Sequence, residues 1–138
     1  TLFEEGGSIV RIKWGRLAAT KPSPLLLDAC AQLSAYDHGS RQVFDFPLYV
    51  HGSRFQQDVC AAISEIPFGE TCTYGDIAKR LGVPAQAVGR ACGANPIPIV
   101  IPCHRVMGAK GLTGFSGGTG IETKIALLRH EGAAGLLI

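Results

Sequence analysis

Thr73-Tyr74-Gly75-Asp76-Ile77-Ala78-Lys79-Arg80-Leu81, Gly82-Val83-Pro84 and Ala85-Gln86-Ala87-Val88-Gly89-Arg90-Ala91-Cys92-Gly93-Ala94 read as helix, short turn, helix. Thr73 is placed to cap the first helix, Tyr74 to Leu81, because its hydroxyl oxygen can accept from a first-turn amide that has no partner inside the helix. Pro84 suits the first position of the next helix, Ala85 to Ala94, where a missing N–H costs nothing. Helix, turn, helix is an outline shared by DNA-binding modules and by ordinary helical hairpins. The second helix narrows the reading. Ala85, Ala87, Gly89, Ala91, Gly93 and Ala94 leave its surface almost without side chains, although an internal glycine costs about 1 kcal/mol relative to alanine. Something approaches that backbone closely, either a packed helix or the wall of a narrow nucleic-acid groove.

Upstream, Ser53 caps a helix from Arg54 to Ile66 with an apolar face of Phe55, Val59, Ala62, Ile63 and Ile66, and Pro67-Phe68-Gly69 ends it. His51-Gly52-Ser53 reads as a linker, so the chain divides into residues 1–50, a structural α/β domain, and 51–138, a mostly helical domain. In the first, Ser8 to Trp14 reads as a strand. After the Lys21-Pro22-Ser23-Pro24 break, Leu26, Leu27, Cys30, Leu33 and Ser34 recur at helical spacing through Tyr36, and Phe44 to Val50 returns to an extended pattern. Downstream, Asn95-Pro96-Ile97-Pro98 ends the small-residue helix and opens a Pro-fenced extended segment. Gly108 to Gly120 follows as a glycine-rich loop, and Ile121 to Glu131 as a last helix with Ile125 and Leu128 at helical spacing. The fold class is α/β.

Composition bounds the function. At 138 residues, 46% hydrophobic and 17% charged, the chain can bury one good core and is not a large multidomain enzyme. Five cysteines with no CxxC pair indicate neither a disulfide framework nor a zinc site, and so a reducing interior. Glu4, Glu5, Arg11 and Lys13 are incompatible with a signal peptide or a membrane span near the start of the chain, which points to a soluble intracellular protein. A net charge of +2 does not announce nucleic-acid binding; the gathering of Lys79, Arg80, Arg90, Arg105 and Lys110 near one cysteine suits it, and suits a solvated surface equally.

That cysteine is Cys103, in Ile99-Val100-Ile101-Pro102-Cys103-His104-Arg105-Val106. A free thiol of pKa about 8.5 is only a few per cent thiolate at neutral pH, and a basic or cationic neighbour is the usual means of making it reactive. On an extended segment Cys103 and His104 point to opposite faces, so a turn or a bridging water is needed to couple them. A carboxylate on the far ring nitrogen would fix the tautomer, and Glu131, Glu122 and Glu70 are candidates. Cys30, Cys60, Cys72 and Cys92 read as small buried hydrophobes, and His38, His51 and His130 as surface or capping groups.

Pro102-Cys103-His104-Arg105-Val106, with Asn95-Pro96-Ile97-Pro98 upstream and Gly114-Phe115-Ser116-Gly117-Gly118 downstream, resembles the O6-alkylguanine-DNA alkyltransferases, or methylated-DNA–protein-cysteine methyltransferases. The likeness runs from Phe55 to Gly132 and takes in Ile66 to Glu70, Thr73-Tyr74 and Leu127 to Gly132; the first forty residues look like a shortened form of the family's variable amino-terminal domain. It implies a ribonuclease-H-like amino-terminal region and a winged or plain helix-turn-helix domain. The implied activity is single-use repair of O6-alkylguanine, and of O4-alkylthymine, in double-stranded DNA, by a monomer without cofactor or metal, in the cytoplasm or, in a eukaryote, the nucleus. By position, Cys103 is the alkyl acceptor, His104 the water-mediated base, Glu131 the carboxylate behind it, and Tyr74 the donor to the departing guanine. Asn95 holds the turn, the Ser116 amide serves O6, the carbonyls of Cys103 and Val106 serve the exocyclic amine, and Pro98 and Phe115 wall the pocket. Ala85, Gln86, Ala87, Gly89 and Arg90, with Arg105, face DNA in the minor groove, about 6 Å wide and poor in sequence information. Three positions depart from the family's pattern: Gln86 stands where an arginine is frequent, Phe115 where a tyrosine is, and Cys60 where a tryptophan is. Competing readings are a lesion-sensing or regulatory DNA-binding module and a Cys-His hydrolase.

Overall fold

Gly6 and Gly7, with φ of 56° and 81°, close a two-residue hairpin between β1 (Leu2–Glu5) and β2 (Ser8–Ile12), which pair antiparallel with an irregularity at Phe3/Glu4. Consecutive positive φ is what such a tight loop demands, and glycine adopts it without steric cost. The structure, a computed structural model, describes residues 1–17, 21–108 and 120–133. The pattern from Ser8 to Trp14 predicts β2, whereas β1 has no counterpart in it. The Phe44 to Val50 segment forms a single parallel bridge, Ile9 to Leu48, held by Ile9 N donating to the Pro47 carbonyl and Tyr49 N to that of Ile9.

Helix α1 (Pro24–Asp37) starts on Ser23, whose hydroxyl oxygen accepts from Leu26 N, with Pro24 in the first turn. Its buried residues are Ala29, Gln32 and Tyr36, whereas Leu27 is 58% exposed and Cys30 lies at the surface. The stripe expected from Leu26, Leu27, Cys30, Leu33 and Ser34 is therefore rotated. Two polar residues explain the rotation. Gln32 uses both ends of its amide on the Asp45 backbone, 3.0 Å and 2.8 Å away, and Tyr36 reaches a buried carboxylate of the other half of the chain.

Helix α2 (Arg54–Ser64) is capped by Ser53 and buries Val59, Cys60, Ala62 and Ile63. Thr73 starts α3 (Tyr74–Leu81) in a capping box with Asp76, and Gly82, at φ 68°, ends it in the left-handed conformation. Helix α4 (Ala85–Gly93) follows with Pro84 as its cap residue, at ψ 144°, rather than in its first turn. α3 packs on α4 and α2 on both; Gln56 of α2 also donates to the Ala91 carbonyl of α4 at 2.9 Å. Two parallel two-residue strands, β3 (Cys72–Thr73) and β4 (Val106–Met107), tie the start of α3 to the segment carrying Cys103. Helix α5 (Ile121–His130) ends at Glu131. The architecture is mixed α/β, five helices with two small sheets among the described residues. Its core is built from Ile9, Ala29, Val59, Ile63, Val88, Ile97 and Val106 and their neighbours, so both halves of the chain share it. No helix among the described residues is long and apolar enough to cross a membrane.

Candidate active site

Prolines 96, 98 and 102 remove backbone donors from the segment after α4, which makes a ladder-paired strand unfavourable there. Asn95 supplies local bonds instead: its side-chain amide donates to the Ile101 carbonyl at 2.8 Å and its oxygen accepts from Ile97 N at 3.0 Å. Ile99 is held at φ 72°, costly for a β-branched residue. The expected extended segment is therefore a chain of turns leading into one 3-10 turn, Cys103–Arg105. At three residues per turn the side chains of Cys103, His104 and Arg105 leave in three directions rather than on two alternating faces.

His104 and Arg105 both turn toward Glu131. His104 Nε2 lies 2.7 Å from Glu131 Oε2, with both side chains 0% exposed. Arg105 Nε donates to Oε1 at 2.8 Å, Nη2 to Oε2 at 3.0 Å, and Nη1 to the Ile66 carbonyl at 2.6 Å. Tyr36 Oη donates to the same Oε2 at 2.7 Å. Arg105 is thus an interior residue, and its expected place at the DNA surface is corrected: a guanidinium bonded on three nitrogens inside the core cannot reach a phosphate.

Burial alone would raise the Glu131 carboxyl, but hydrogen bonds from His104 and Arg105 outweigh it and hold it down at about 2. A carboxylate that keeps its charge accepts, so Nε2 of His104 carries the proton and Nδ1 the lone pair. Nδ1 is buried and has no hydrogen-bond partner among the described residues. Burial pushes the His104 imidazole below its ordinary value, and the Glu131 bond only partly offsets this. Burial also raises the Cys103 thiol, while an Asn95 hydrogen bond and the charge of Lys124 pull it back.

The His104 and Glu131 shifts make the fold acid-sensitive. Both folded-state values lie below the unfolded ones, 6.5 for the imidazole and 4.5 for the carboxyl. Stability from the imidazole is therefore present above pH 6.5 and begins to fall below it; stability from the carboxylate is present above 4.5 and is lost down to about 2. Urea midpoints measured from pH 7.5 downward should decline across this range, and a flat profile to pH 4 would contradict the arrangement.

Lys124 was not among the residues expected at the site. It is 0% exposed, its Nζ donates to the Val106 carbonyl at 2.6 Å and lies 5.9 Å from the Tyr74 ring centroid, and its charge acts on Cys103. A signal was present, since Lys124, Leu128 and Glu131 fall at i, i+4 and i+7 on the inward stripe of α5. Val106 and Cys103 carbonyls are already engaged, by Lys124 Nζ and Val106 N respectively, and each keeps a second lone pair.

The expected site residues gather in two places. A cavity of about 400 Å³ opens between β2 and the end of α4 and is lined by Cys103, Asn95 and Pro98 together with Cys92, Gly93 and Trp14. Tyr74 lines a second groove, of about 560 Å³, with Ala85, Gln86, Gly89 and Arg90. Ala87 is half-buried and lies off that groove. A methyl group built on Gly89 or Gly93 would meet nothing within 4 Å, while Val88, Ala91 and Cys92 face the core. Among the described residues the Gly89 and Gly93 positions of α4 are therefore open, while Ala91 is packed inward. Phe115 and Ser116 lie outside the described residues.

The family described as 6-O-methylguanine DNA methyltransferase, DNA binding domain, matches residues 54–133. The methylated-DNA–protein-cysteine methyltransferase of Methanosarcina acetivorans is 49% identical over 109 residues, 77% of this chain and 69% of that protein. The Mycobacterium bovis protein of the same name is 52% identical over 106 residues, 75% of this chain and 63% of its own. Among solved structures, Mycobacterium tuberculosis OGT in complex with DNA is 43% identical, covers 95% of this chain and 84% of that one, and superposes with a TM-score of 0.83.

Proposed function

The chain belongs to the 6-O-methylguanine DNA methyltransferase family, and from that premise we propose that it repairs O6-alkylguanine, and O4-alkylthymine, in DNA by moving the alkyl group irreversibly to Cys103. The observation that carries this reading is a thiol at the edge of a cavity, one residue from an imidazole whose far nitrogen is committed to a buried carboxylate. In the proposed reaction His104 Nδ1 takes the thiol proton through a water, and Cys103 Sγ attacks the alkyl carbon. The bond from that carbon to O6 breaks, its electron pair passes to the guanine, and the Tyr74 hydroxyl donates to the base as charge develops. The guanine anion takes up a proton and the His104 imidazolium gives one up, through water, so the products are neutral guanine and S-alkylcysteine. Glu131 stabilises the imidazolium formed, and Lys124, the buried cation acting on the thiol, opposes the cost of a thiolate in a dry site.

DNA lies in this proposal along the open face of α4, with Ala85, Gln86, Gly89 and Arg90 toward the minor groove and the damaged base turned out of the stack toward Cys103. Asn95 and Pro98 shape the pocket beside the thiol, and the carbonyls of Cys103 and Val106, with Phe115 and Ser116, complete base recognition. The proposal keeps residues 1–50 as a ribonuclease-H-like unit, 51–138 as a winged helix-turn-helix unit, and a monomer working in the cytoplasm or nucleus.

Intact mass after incubation with O6-methylguanine duplex tests the function: a gain of one methyl group, mapped to Cys103, is expected. Binding without a mass change would make the chain a lesion sensor. Gln86 bears on the rate, because an uncharged amide fills the place of an extruded base less well than a guanidinium does. Gln86→Arg should therefore accelerate transfer from duplex several-fold in single-turnover assays and leave the reaction with free O6-alkylguanine base unchanged; equal rates on duplex would count against this role.

A further inference from the structure

Tyr36 lies at the end of α1, in the half of the chain outside the matched family region of residues 54–133. Its hydroxyl nevertheless donates to the catalytic carboxylate, 95 residues away in sequence, at 2.7 Å. We propose that Tyr36 is a positioning residue for alkyl transfer: by donating to Glu131 Oε2, the oxygen that also receives His104 Nε2, it sets how strongly His104 holds a proton. This rests on the alkyl-transfer reading of Cys103.

The geometry gives Tyr36 little freedom to do anything else. It is 5% exposed, and its ring is boxed by Phe44 at 5.5 Å, Phe68 at 6.2 Å and His130 at 4.8 Å between centroids. His130 Nε2 lies 2.6 Å from the Tyr36 carbonyl, so the end of α5 grips the end of α1 just where Glu131 begins. Burial and the neighbouring carboxylate drive the phenol well above its ordinary range. Tyr36 is therefore a protonated donor in the neutral range.

The effect on His104 has a definite sign. A hydrogen bond to a carboxylate draws off charge, and a less basic carboxylate holds the imidazolium less tightly. Arg105 acts on Glu131 in the same direction from its other side, and Lys124 disfavours the imidazolium through its charge. Asp37 and His130 are the remaining titratable groups at the Tyr36 end. With Tyr36 in place, His104 is kept neutral and able to accept the thiol proton to a lower pH. Gln32 buried on the Asp45 backbone and Tyr36 buried on Glu131 share the inward face of α1. The amino-terminal half thus contributes to the chemistry, and not to packing alone.

Tyr36→Phe in the full chain keeps the ring and removes only the hydroxyl. The His104 ring is titrated by NMR, its signal assigned by its loss in His104→Gln, and single-turnover transfer to Cys103 is followed across pH. The His104 midpoint is expected to rise by about half a unit, a roughly threefold gain in proton affinity. The acid limb of the rate profile should move with it, so that the rate falls about threefold below the limb and is unchanged above it. In a Glu131→Gln background Tyr36→Phe should no longer shift His104. An unshifted His104, the same shift without Glu131, or a rate loss equal at every pH would overturn the proposal and leave Tyr36 a packing residue. In the unaltered protein the Tyr36 hydroxyl proton should be protected from exchange and close to the His104 Nε2 proton; a freely exchanging hydroxyl also overturns it. The ring titration reads Tyr36 whether or not Cys103 accepts an alkyl group, so failure of the alkyl-transfer reading shows separately in the mass measurement.

Discussion

Arg105→Met should cost about 3–5 kcal/mol of folding stability, the usual effect of removing one partner of a buried ion pair. The arginine side chain is 7% exposed and the Glu131 side chain 0%. Arg105 gives Glu131 two of its hydrogen bonds and the Ile66 carbonyl another. Methionine fills the stem but leaves a buried carboxylate without its cation and a carbonyl without its donor. Two-state urea unfolding at pH 7.5 measures the loss, and a change below about 1 kcal/mol would show that the pair is not what secures α5 to the Cys103 turn. Removing both charges separates the cost of an orphaned ion from the worth of the pair. Arg105→Met combined with Glu131→Leu removes the uncompensated charge but leaves the His104 Nε2–H, the Tyr36 hydroxyl and the Ile66 carbonyl without partners, so it should recover only part of the stability and none of the activity.

His104→Leu is expected to act the other way, on rate far more than on stability. The imidazole is the base in the proposed reaction, and positioned acid–base groups contribute typically 10²–10⁴-fold. Its loss leaves Glu131 with Arg105 and Tyr36 as partners, so the carboxylate remains satisfied and the fold holds. Single-turnover transfer from O6-methylguanine duplex should slow about 10²–10⁴-fold at pH 7.5, with duplex binding unchanged. A loss under tenfold would mean that the thiol is deprotonated by another route, for which Lys124, whose charge acts on Cys103, is a candidate. In the proposed reaction adjacent residues on one 3-10 turn thus divide the work at a single carboxylate: Arg105 fixes it, and His104 uses it.

Local elements were legible because their causes are local. The Ser53 and Thr73 caps, the Gly82 stop, the α3–α4 hairpin and the Arg54 helix each rest on residues within a turn or two of one another. The bare face of α4 was legible too, but not its meaning, which turns on the open space that Gly89 and Gly93 have among the described residues. Strand β1 was missed because four residues ahead of a Gly-Gly turn carry little pattern of their own. The Cys103 segment was misread as extended because its three prolines suit either an extended run or a series of turns, and the choice lies with the Asn95 side chain bonding six residues ahead.

By itself the sequence determined the helices and, to within a residue or two, their ends, the small-residue face of α4, and the Cys103-His104 signature whose setting marks the family. Those follow from capping, spacing and steric limits acting over a few residues. Only the tertiary structure decided what the buried polar groups do: Arg105 inward on Glu131 rather than outward on DNA, Lys124 on the Val106 carbonyl, α1 turned to bury Gln32 and Tyr36, and Tyr36 joined to Glu131. The physical reason is desolvation. A charge or hydroxyl taken out of water must find its partner wherever packing brings one, here 18, 26 or 95 residues away in the chain, and no local pattern encodes that distance.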